Sequence, residues 1–538
     1  MPVFNFYTRR QKSKILKSSR GYEKLKNKNK LEFIDEIKTI LSNSNLFENK
    51  PSSFLSFLNI HSNDINIEIS ARQFILGRYV GSTFTREILK SISDVNEKFC
   101  SPLPYVWLKV LSKSGIRVNY FNSILLWYIE LLKHFLYGLL ELIKQFKYYI
   151  LSNFERNFDY SSSFVYFDSL TISNLPTENT TNKYGILTWY YDWTNRIKVD
   201  YYTHSVSSKI EISLNEKIDV RFIKSPFSHP IFFKILLFFL FSSFIKIFKT
   251  FLSLFLGKWW NLLLLKEVFL YDVVNLNNGR GLALRYMFHN SKWVYRPLWT
   301  MAAEKYGSEI YFYFYSTNIE RFKKINKKTN CVNFWHLITW PRILVWDEFQ
   351  ESFLNNNLIQ KSNIEIVGPI SFNSSKSSNL EINGKSIAIF DVQPVRTSYY
   401  ITLGLDQEYY IPDVANRFLT DVFESVTEIG FRPVFKRKRS IGKYENSLYT
   451  QKLKLLSEKY QIVSIDPSIP PEQIIETSIA TISMPFTSTS LTSRFLLKPS
   501  IFYDPTGLIL KDDPAAHGIL VINNKLDLKK WLCKLQNK

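Results

Sequence analysis

Apolar and polar positions alternate along this chain in two rhythms, and the change from one to the other marks its elements. From Pro412 to Ile429, Val414, Phe418, Leu419, Val422, Phe423 and Val426 recur at helical spacing, and Gly430 ends the run. Short apolar runs bounded by polar or Gly/Pro residues read as strands: SIAIFDVQ, FRPVF, QIVSI, ATISM and SIFYD. Between them, Tyr444 to Tyr460 and the stretch opening at Pro471-Glu472 read as helices. Upstream, SEIYFYFYSTN, ILVWDE and IEIVGPI read as strands, and RPLWTMAAEKYG and FQESFLNNNL as helices. EVFLYDVV, residues 267–274, reads as a further strand, followed by the loop NLNNGRG and a helix-like stretch. Alternating strands and helices predict parallel sheets. The Ser- and Asn-rich stretch 371–385 separates two such series, and LDLKKWLCKLQNK reads as a closing helix. The expected layout is α/β with two facing Rossmann-like lobes. A basic extension covers 1–50, an N-terminal lobe 51–375, a C-terminal lobe 376–510 and a closing helix 511–538.

Two segments carry a stronger pattern. Over 122–150, Glu130, Lys133, His134, Glu141, Lys144 and Lys147 share one side of a helix, and Leu131, Leu132, Phe135, Leu139, Leu142, Ile143 and Phe146 the other. The expectation is a domain helix with its apolar side in a core. Over 231–265, Lys234, Lys246 and Lys249 share one half of the wheel, and Phe241, Phe244, Phe248, Phe251 and Phe255 the other. No acidic residue occurs between Asp219 and Glu267, and Lys258, Trp259 and Trp260 close the segment. Its longest uncharged aromatic run, Ile235 to Ile245, is too short to span a bilayer. The expectation is an amphipathic helix lying in an anionic membrane surface.

The chain has 538 residues, enough for two or three domains, and a net charge of +22. That charge attracts anionic membranes, nucleic acids or phosphorylated small molecules. Neither a zinc-ligand array nor an RNA-binding signature points to nucleic acid. Ten basic residues against Glu23 alone in the first thirty give a solvated arm or a lipid-touching one. Three scattered cysteines predict a reducing compartment, and the start MPVFNFYTRRQKSK has no apolar h-region.

The candidate chemistry lies where strands end, because ligands of open parallel sheets bind outside the carboxyl ends. After ATISM, Thr487, Ser488, Thr489 and Ser490 offer hydroxyls and backbone N–H groups suited to a phosphate, or to capping a helix. Lys436 and Arg437, in KRKR after FRPVF, suit phosphate oxygens, or form a solvated loop. Asp391 and Gln393 end SIAIFDVQ and are donor contacts or loop caps. On the other lobe, Asn278, Gly279 and Arg280, with Ser316 and Asn318, are candidates for an acceptor-side cleft. Arg296 and Trp299 are expected to hold their helix in place. Asp347 and Glu348, or Asp272, are candidates for a general base, or are helix-capping acids. No Asp-x-Asp triplet and no metal-ligand spacing of histidines occur, so no metal is expected.

MPFTSTSLTSRFLLKPSIFYDPTG resembles the PFTS motif of a bacterial polysaccharide-biosynthesis family. NNGRGLALRY, YRPLWTMAAEKYGSEIYFYFYSTN and ILVWDEF resemble the preceding blocks, so the likeness covers roughly residues 265–510. It implies a glycosyltransferase-like protein of GT-B architecture, acting on surface polysaccharide or lipopolysaccharide. The sole His-Pro pair, His229-Pro230, lies far upstream of the hydroxyl loop, which argues against a CMP-linked donor. The expected function is a metal-independent transferase, peripheral to the cytoplasmic face of the inner membrane, moving sugar from a nucleotide-sugar to a glycan or lipid-linked acceptor. The alternatives are a non-catalytic membrane scaffold and a nucleotide-sugar epimerase on the same fold.

Overall fold

The computed structural model describes residues 28–44, 65–152, 164–168, 185–194, 201–204, 212–214, 218–222, 225–227, 233–290, 295–317, 319–325, 335–370, 382, 384–395, 411–437, 442–485 and 487–537. The N-terminal arm, Asn318, Lys438, Arg439 and the side chain of Lys234 lie outside the described residues.

Two sheets form two lobes. The first contains β1 (Phe164–Phe167), β2 (Tyr201–His204), β3 (Ile212–Leu214), β4 (Ile218–Phe222), β5 (Arg285–His289), β6 (Glu309–Tyr313), β7 (Arg342–Val345) and β8 (Asn363–Ile366), in the order β3-β4-β2-β1-β5-β6-β7-β8. Every pairing is parallel except β3 with β4. The second contains β9 (Ser386–Phe390), β10 (Arg432–Lys436), β11 (Val463–Ile465), β12 (Ala480–Ser483), β13 (Ser500–Tyr503) and β14 (Leu520–Ile522), all parallel, in the order β11-β10-β9-β12-β13-β14. The chain lays β10 and β11 on one side of β9, then returns to lay β12 to β14 on the other. This is the doubly wound Rossmann order, and it opens a crevice where the direction reverses, between the carboxyl ends of β9 and β12. The first sheet reverses in the same way between β1 and β5.

Helices cover both sheets. They are α1 (Lys28–Asn43), α2 (Ile65–Tyr79), α3 (Ser82–Ser93), α4 (Tyr105–Lys113), α5 (Tyr120–Ser152), α6 (Ile186–Trp193), α7 (Phe233–Phe255), α8 (Trp260–Leu276), α9 (Leu298–Lys305) and α10 (Glu348–Asn357) in the first lobe. The second lobe has α11 (Pro412–Glu428), α12 (Ser447–Tyr460), α13 (Pro471–Thr477), α14 (Thr489–Phe495) and α15 (Lys525–Gln536). The sequence pattern works locally as it should. β9 is buried on both faces, which its unbroken apolar run dictates. α11 starts with Pro412 at its first turn and buries Phe418, Leu419, Val422 and Val426 on β-sheet side chains. Gly430 follows at φ 85°, a left-handed conformation that ends the helix.

Four expectations need correction. Residues 267–274 are not a strand but the second half of α8, buried on nearly every side. A short run that is apolar all round fits a buried helix as well as a strand. The helix-like stretch after NLNNGRG is instead strand β5. α5 buries its apolar side only in part: Leu131 is fully buried and Phe135 and Leu142 pack on the core, but Leu132 and Ile143 face out, and Ser123, His134, Glu141 and Gln145 face inward. The stretch 511–538 is more than a closing helix, because it also supplies β14, the edge strand of the second sheet. Within the basic extension, α1 sends Ile34, Ile37 and Leu41 into the first lobe's core.

Candidate functional site

The crevice of the second lobe is built first by β9. Its continuous apolar run carries the backbone straight to the sheet's carboxyl edge, where Asp391 and Gln393 follow. Both side chains are buried. Asp391 Oδ2 accepts a hydrogen bond from the Tyr449 hydroxyl of α12. Asp391 Oδ1 and both amide atoms of Gln393 have no hydrogen-bond partner among the described residues. Leaving a buried polar group unpaired costs about 1–3 kcal/mol. Three such atoms, two residues apart at a switch point, mark a place arranged for something polar. Burial pushes the Asp391 carboxyl up to about 7, because desolvation outweighs the Tyr449 hydrogen bond.

β12 ends beside β9 and leads into the PFTS loop. Most of its hydroxyls hold the loop to the sheet. Thr487 donates to the Met484 carbonyl at 2.8 Å, Ser490 donates to the Ile501 carbonyl at 2.8 Å, and Thr489 pairs with the Ser483 hydroxyl at 2.7 Å. The expected fourfold grip on a phosphate is therefore reduced, for these three oxygens already have partners. Ser488 differs: its Oγ accepts from the Thr317 amide, at 3.3 Å, across the gap between lobes. Thr317 follows β6 and Ser488 follows β12, so this bond brings the carboxyl edges of the two sheets together. The lobes therefore face each other.

Lys436 ends β10 and Arg437 follows it, near enough to Asp391 to act on its carboxyl, and both already have protein partners. Lys436 is buried, with its amine on the Arg437 carbonyl at 3.3 Å, and Arg437 is paired with Glu445 at 3.0 Å.

On the first lobe, Ser316 stands at the carboxyl edge after β6, its carbonyl accepting from Gln350 at 3.3 Å. Asn278, Gly279 and Arg280 do not join it. They form the turn between α8 and β5, at the amino edge of the sheet, where Gly279 lies against the Tyr306 ring. Arg296 and Trp299 hold α9, as expected, through Thr300 and the first core. Asp347 caps α10 by accepting from the Gln350 amide at 3.0 Å, and both its oxygens lie 2.9 Å from His517 Nδ1. Arg494 approaches the same carboxylate at 3.4 Å. Asp347 is thus occupied as an interlobe joint, and Glu348 beside it is exposed. Asp272 pairs with Lys246 and lies in the α7–α8 seam, away from either crevice.

Sequence reasoning passed over Asp168 and His289. They follow and end β1 and β5, the two strands between which the first sheet reverses. Asp168 is buried, and its Oδ1 accepts from the Tyr166 hydroxyl at 3.4 Å. The signal was present: FVYFD is an apolar strand run closed by Asp, like SIAIFD.

Of the residues expected at a membrane surface, Lys249 is exposed, and Lys258 and Trp259 are half-buried. Lys246 and Trp260 are buried in the protein, because the polar side of α7 faces α8 and not solvent.

Solved structures with some likeness to this chain include the UDP-GlcNAc 2-epimerase of Methanocaldococcus jannaschii, at 10% identity and a TM-score of 0.36, covering 70% of this chain and 91% of that one. The wall teichoic acid polymerase TagF gives 11% identity, a TM-score of 0.38, and coverage of 76% and 89%. HepE of Anabaena, in complex with UDP and glucose, gives 8%, 0.35, and coverage of 70% and 90%. None is similar enough to lend its chemistry to this chain. No curated protein matches it. A family profile described as polysaccharide biosynthesis PFTS motif protein matches residues 245–532, from the middle of α7 through α15. That match spans more than half of the chain and takes in the second lobe's crevice whole, with β5 but not β1 of the first lobe's, and on it the chain belongs to the PFTS-motif polysaccharide biosynthesis family.

Proposed function

We propose that this protein is a glycosyltransferase that holds a nucleotide-sugar donor in the crevice of the second lobe. It passes the sugar to a glycan or lipid-linked acceptor of surface polysaccharide or lipopolysaccharide. It works without a metal, docked on the cytoplasmic face of the inner membrane. One observation carries the reading: the buried polar atoms of Asp391 and Gln393 at the β9/β12 switch point that have no partner among the described residues. Family membership supplies the pathway.

In the transfer, an acceptor oxygen forms a bond to the anomeric carbon as the bond from that carbon to the diphosphate breaks. The nucleoside diphosphate leaves with the electron pair, and the acceptor proton passes to a carboxylate. With Asp347 tied to His517 and Arg494, the carboxylate placed for that task is Asp168, at the first lobe's own switch point. Gln393 and Asp391 orient the donor, and Ser488 with Thr317 keeps the two edges together.

Titration calorimetry with UDP-, GDP- and CMP-linked sugars tests this. One donor class binds, and Gln393→Ala weakens it about tenfold, the scale of one lost buried hydrogen bond. Asp168→Asn leaves donor affinity within about twofold and removes turnover, the pattern of an interaction made only in the transition state. No binding of any donor contradicts the reading. Binding without turnover of any acceptor returns the protein to a scaffold.

A further inference from the structure

We infer that α5 and α7 form a flat, two-helix platform that seats the first lobe on an anionic lipid bilayer without crossing it. This deepens the membrane docking of the proposed function and stands apart from the donor crevice, so the two fail separately.

The first observation is inverted polarity. Soluble helices bury their apolar stripe and expose their charges. Here Leu132, Leu140 and Ile143 on α5, and Phe241, Phe244 and Phe255 on α7, are 56–73% exposed. Turned inward are His134, Glu141 and Gln145 beside Trp127, Leu131 and Tyr149 on α5, and Ser243, Lys246 and Thr250 beside Phe239 on α7. Of the forty large apolar side chains exposed among the described residues, eleven lie on α5 and nine on α7. An apolar surface this concentrated belongs to a membrane or partner site.

The second observation fixes the pose. By length alone both helices cross a bilayer, since 33 and 23 residues rise about 50 and 35 Å against a hydrocarbon core of about 30 Å. Their packing forbids it. The Trp127 ring meets Trp259, just beyond α7, at 5.0 Å, and Tyr149 meets Phe239 at 5.8 Å, so the two run antiparallel side by side over roughly 33 Å. α8 backs them along that length, through Lys246 to Asp272, Asn261 to Ser253 at 2.8 Å and Tyr149 to Asn277 at 3.1 Å. Gly138 lets α5 close onto Leu265, where a β-carbon would come within 2.8 Å. α8 in turn accepts the Leu298 amide of α9 on Glu267 at 3.2 Å, and Trp299 of α9 packs its ring on Tyr286 of β5. Each helix is thus tied lengthwise to a lobe whose sheet edges and loops have no place in hydrocarbon. The pair lies in the surface plane.

The third observation selects the occupant. Among side chains described on the two helices, every exposed charged one is a lysine: Lys147 and Lys249, with Lys133 and Lys144, which reach Glu130 and Glu141 on their own helix. Anionic lipid complements them, at about 1 kcal/mol per lysine near the surface. A second copy of the chain would set lysines against lysines.

The test uses the full chain with Cys100, Cys331 and Cys533 replaced by serine, and single nitroxide labels at positions 132, 143, 244 and 255. Flotation is expected to show binding to vesicles of phosphatidylglycerol and phosphatidylcholine about tenfold or more above phosphatidylcholine alone. All four labels are expected at one shallow depth, within about 5–10 Å of the headgroup boundary. Leu136→Glu with Leu140→Glu, and separately Phe244→Glu with Phe248→Glu, each abolish binding while circular dichroism stays unchanged, because these side chains are 49–70% exposed. Depths that run through the bilayer centre, or absence of binding to either vesicle, overturn the inference. So does a lipid-free dimer that the same substitutions dissolve.

Discussion

Five apolar strands end in aspartate, and each aspartate does something different. Asp504 turns the chain after β13 by accepting from the Leu508 and Ile509 amides at 2.9 and 3.0 Å. Asp466 is fully exposed and holds Ser468. Asp347 joins the lobes, and Asp168 and Asp391 stand at the two switch points. Among the described residues, Asp391 keeps a buried oxygen without a hydrogen-bond partner, and this makes its protonation consequential. Its carboxyl is raised from 3.8 to about 7 by burial. A folded value above the unfolded one means the native state holds the proton more tightly. The stabilisation is therefore full below about 3.8 and is lost as pH rises through about 7. The same proton governs the site. Above about 7 a second negative charge would stand beside an anionic donor. Donor affinity measured by calorimetry is expected to fall as pH rises through neutrality, with a nucleotide sugar whose diphosphate stays fully ionised throughout. Asp391→Asn removes the dependence, and a flat wild-type profile contradicts it.

At the scale of elements, the lysines of α7 divide. Lys246 is buried on Asp272, whereas Lys249 is exposed. Removing one partner of a buried ion pair strands the other, at about 3–5 kcal/mol, while an exposed substitution stays within about 0.5 kcal/mol. Urea unfolding should show Lys246→Ala in the first class and Lys249→Ala in the second, and equal effects contradict the seating of α7. The wheel of 231–265 showed the two faces of this helix but not which one meets protein. A polar stripe can point to water or to a partner that satisfies it, and the partner, Asp272, sat in a run read as a strand. The same ambiguity hid the mixed inward face of α5, where His134, Glu141 and Gln145 are buried beside Trp127, Leu131 and Tyr149. By contrast, the second lobe was legible almost element by element, because its strands are continuous apolar runs and its helices carry clear stops such as Gly430. Strands β1 to β4 were not anticipated, and the turn at Asn278 was placed at the wrong edge because β5 was read as helical. The PFTS loop was found by its motif, but its hydroxyls turn out to brace the sheet, as capping residues often do.

At the scale of the molecule, the lobes are locked by exchange. Phe322 of the first lobe lies in the second core, and Leu491 of the second lies in the first. Lys323 and Ile325 pair with Leu510 and Leu508, and Asp347 binds His517 and Arg494. Asp347→Ala removes charge-assisted bonds worth about 1.5–3 kcal/mol each and strands a buried histidine. Calorimetry should then resolve separate melting of the two lobes where the parent chain melts once, and a single unshifted transition contradicts the joint. The facing edges that this joint preserves give the crevice its second wall. A crystal structure with a bound nucleotide sugar tests the whole account most directly. The account predicts the donor between the ends of β9 and β12, with a polar atom within about 2.7–3.2 Å of the Gln393 amide. A donor seated on the first lobe alone, or with Gln393 still unpaired, contradicts it.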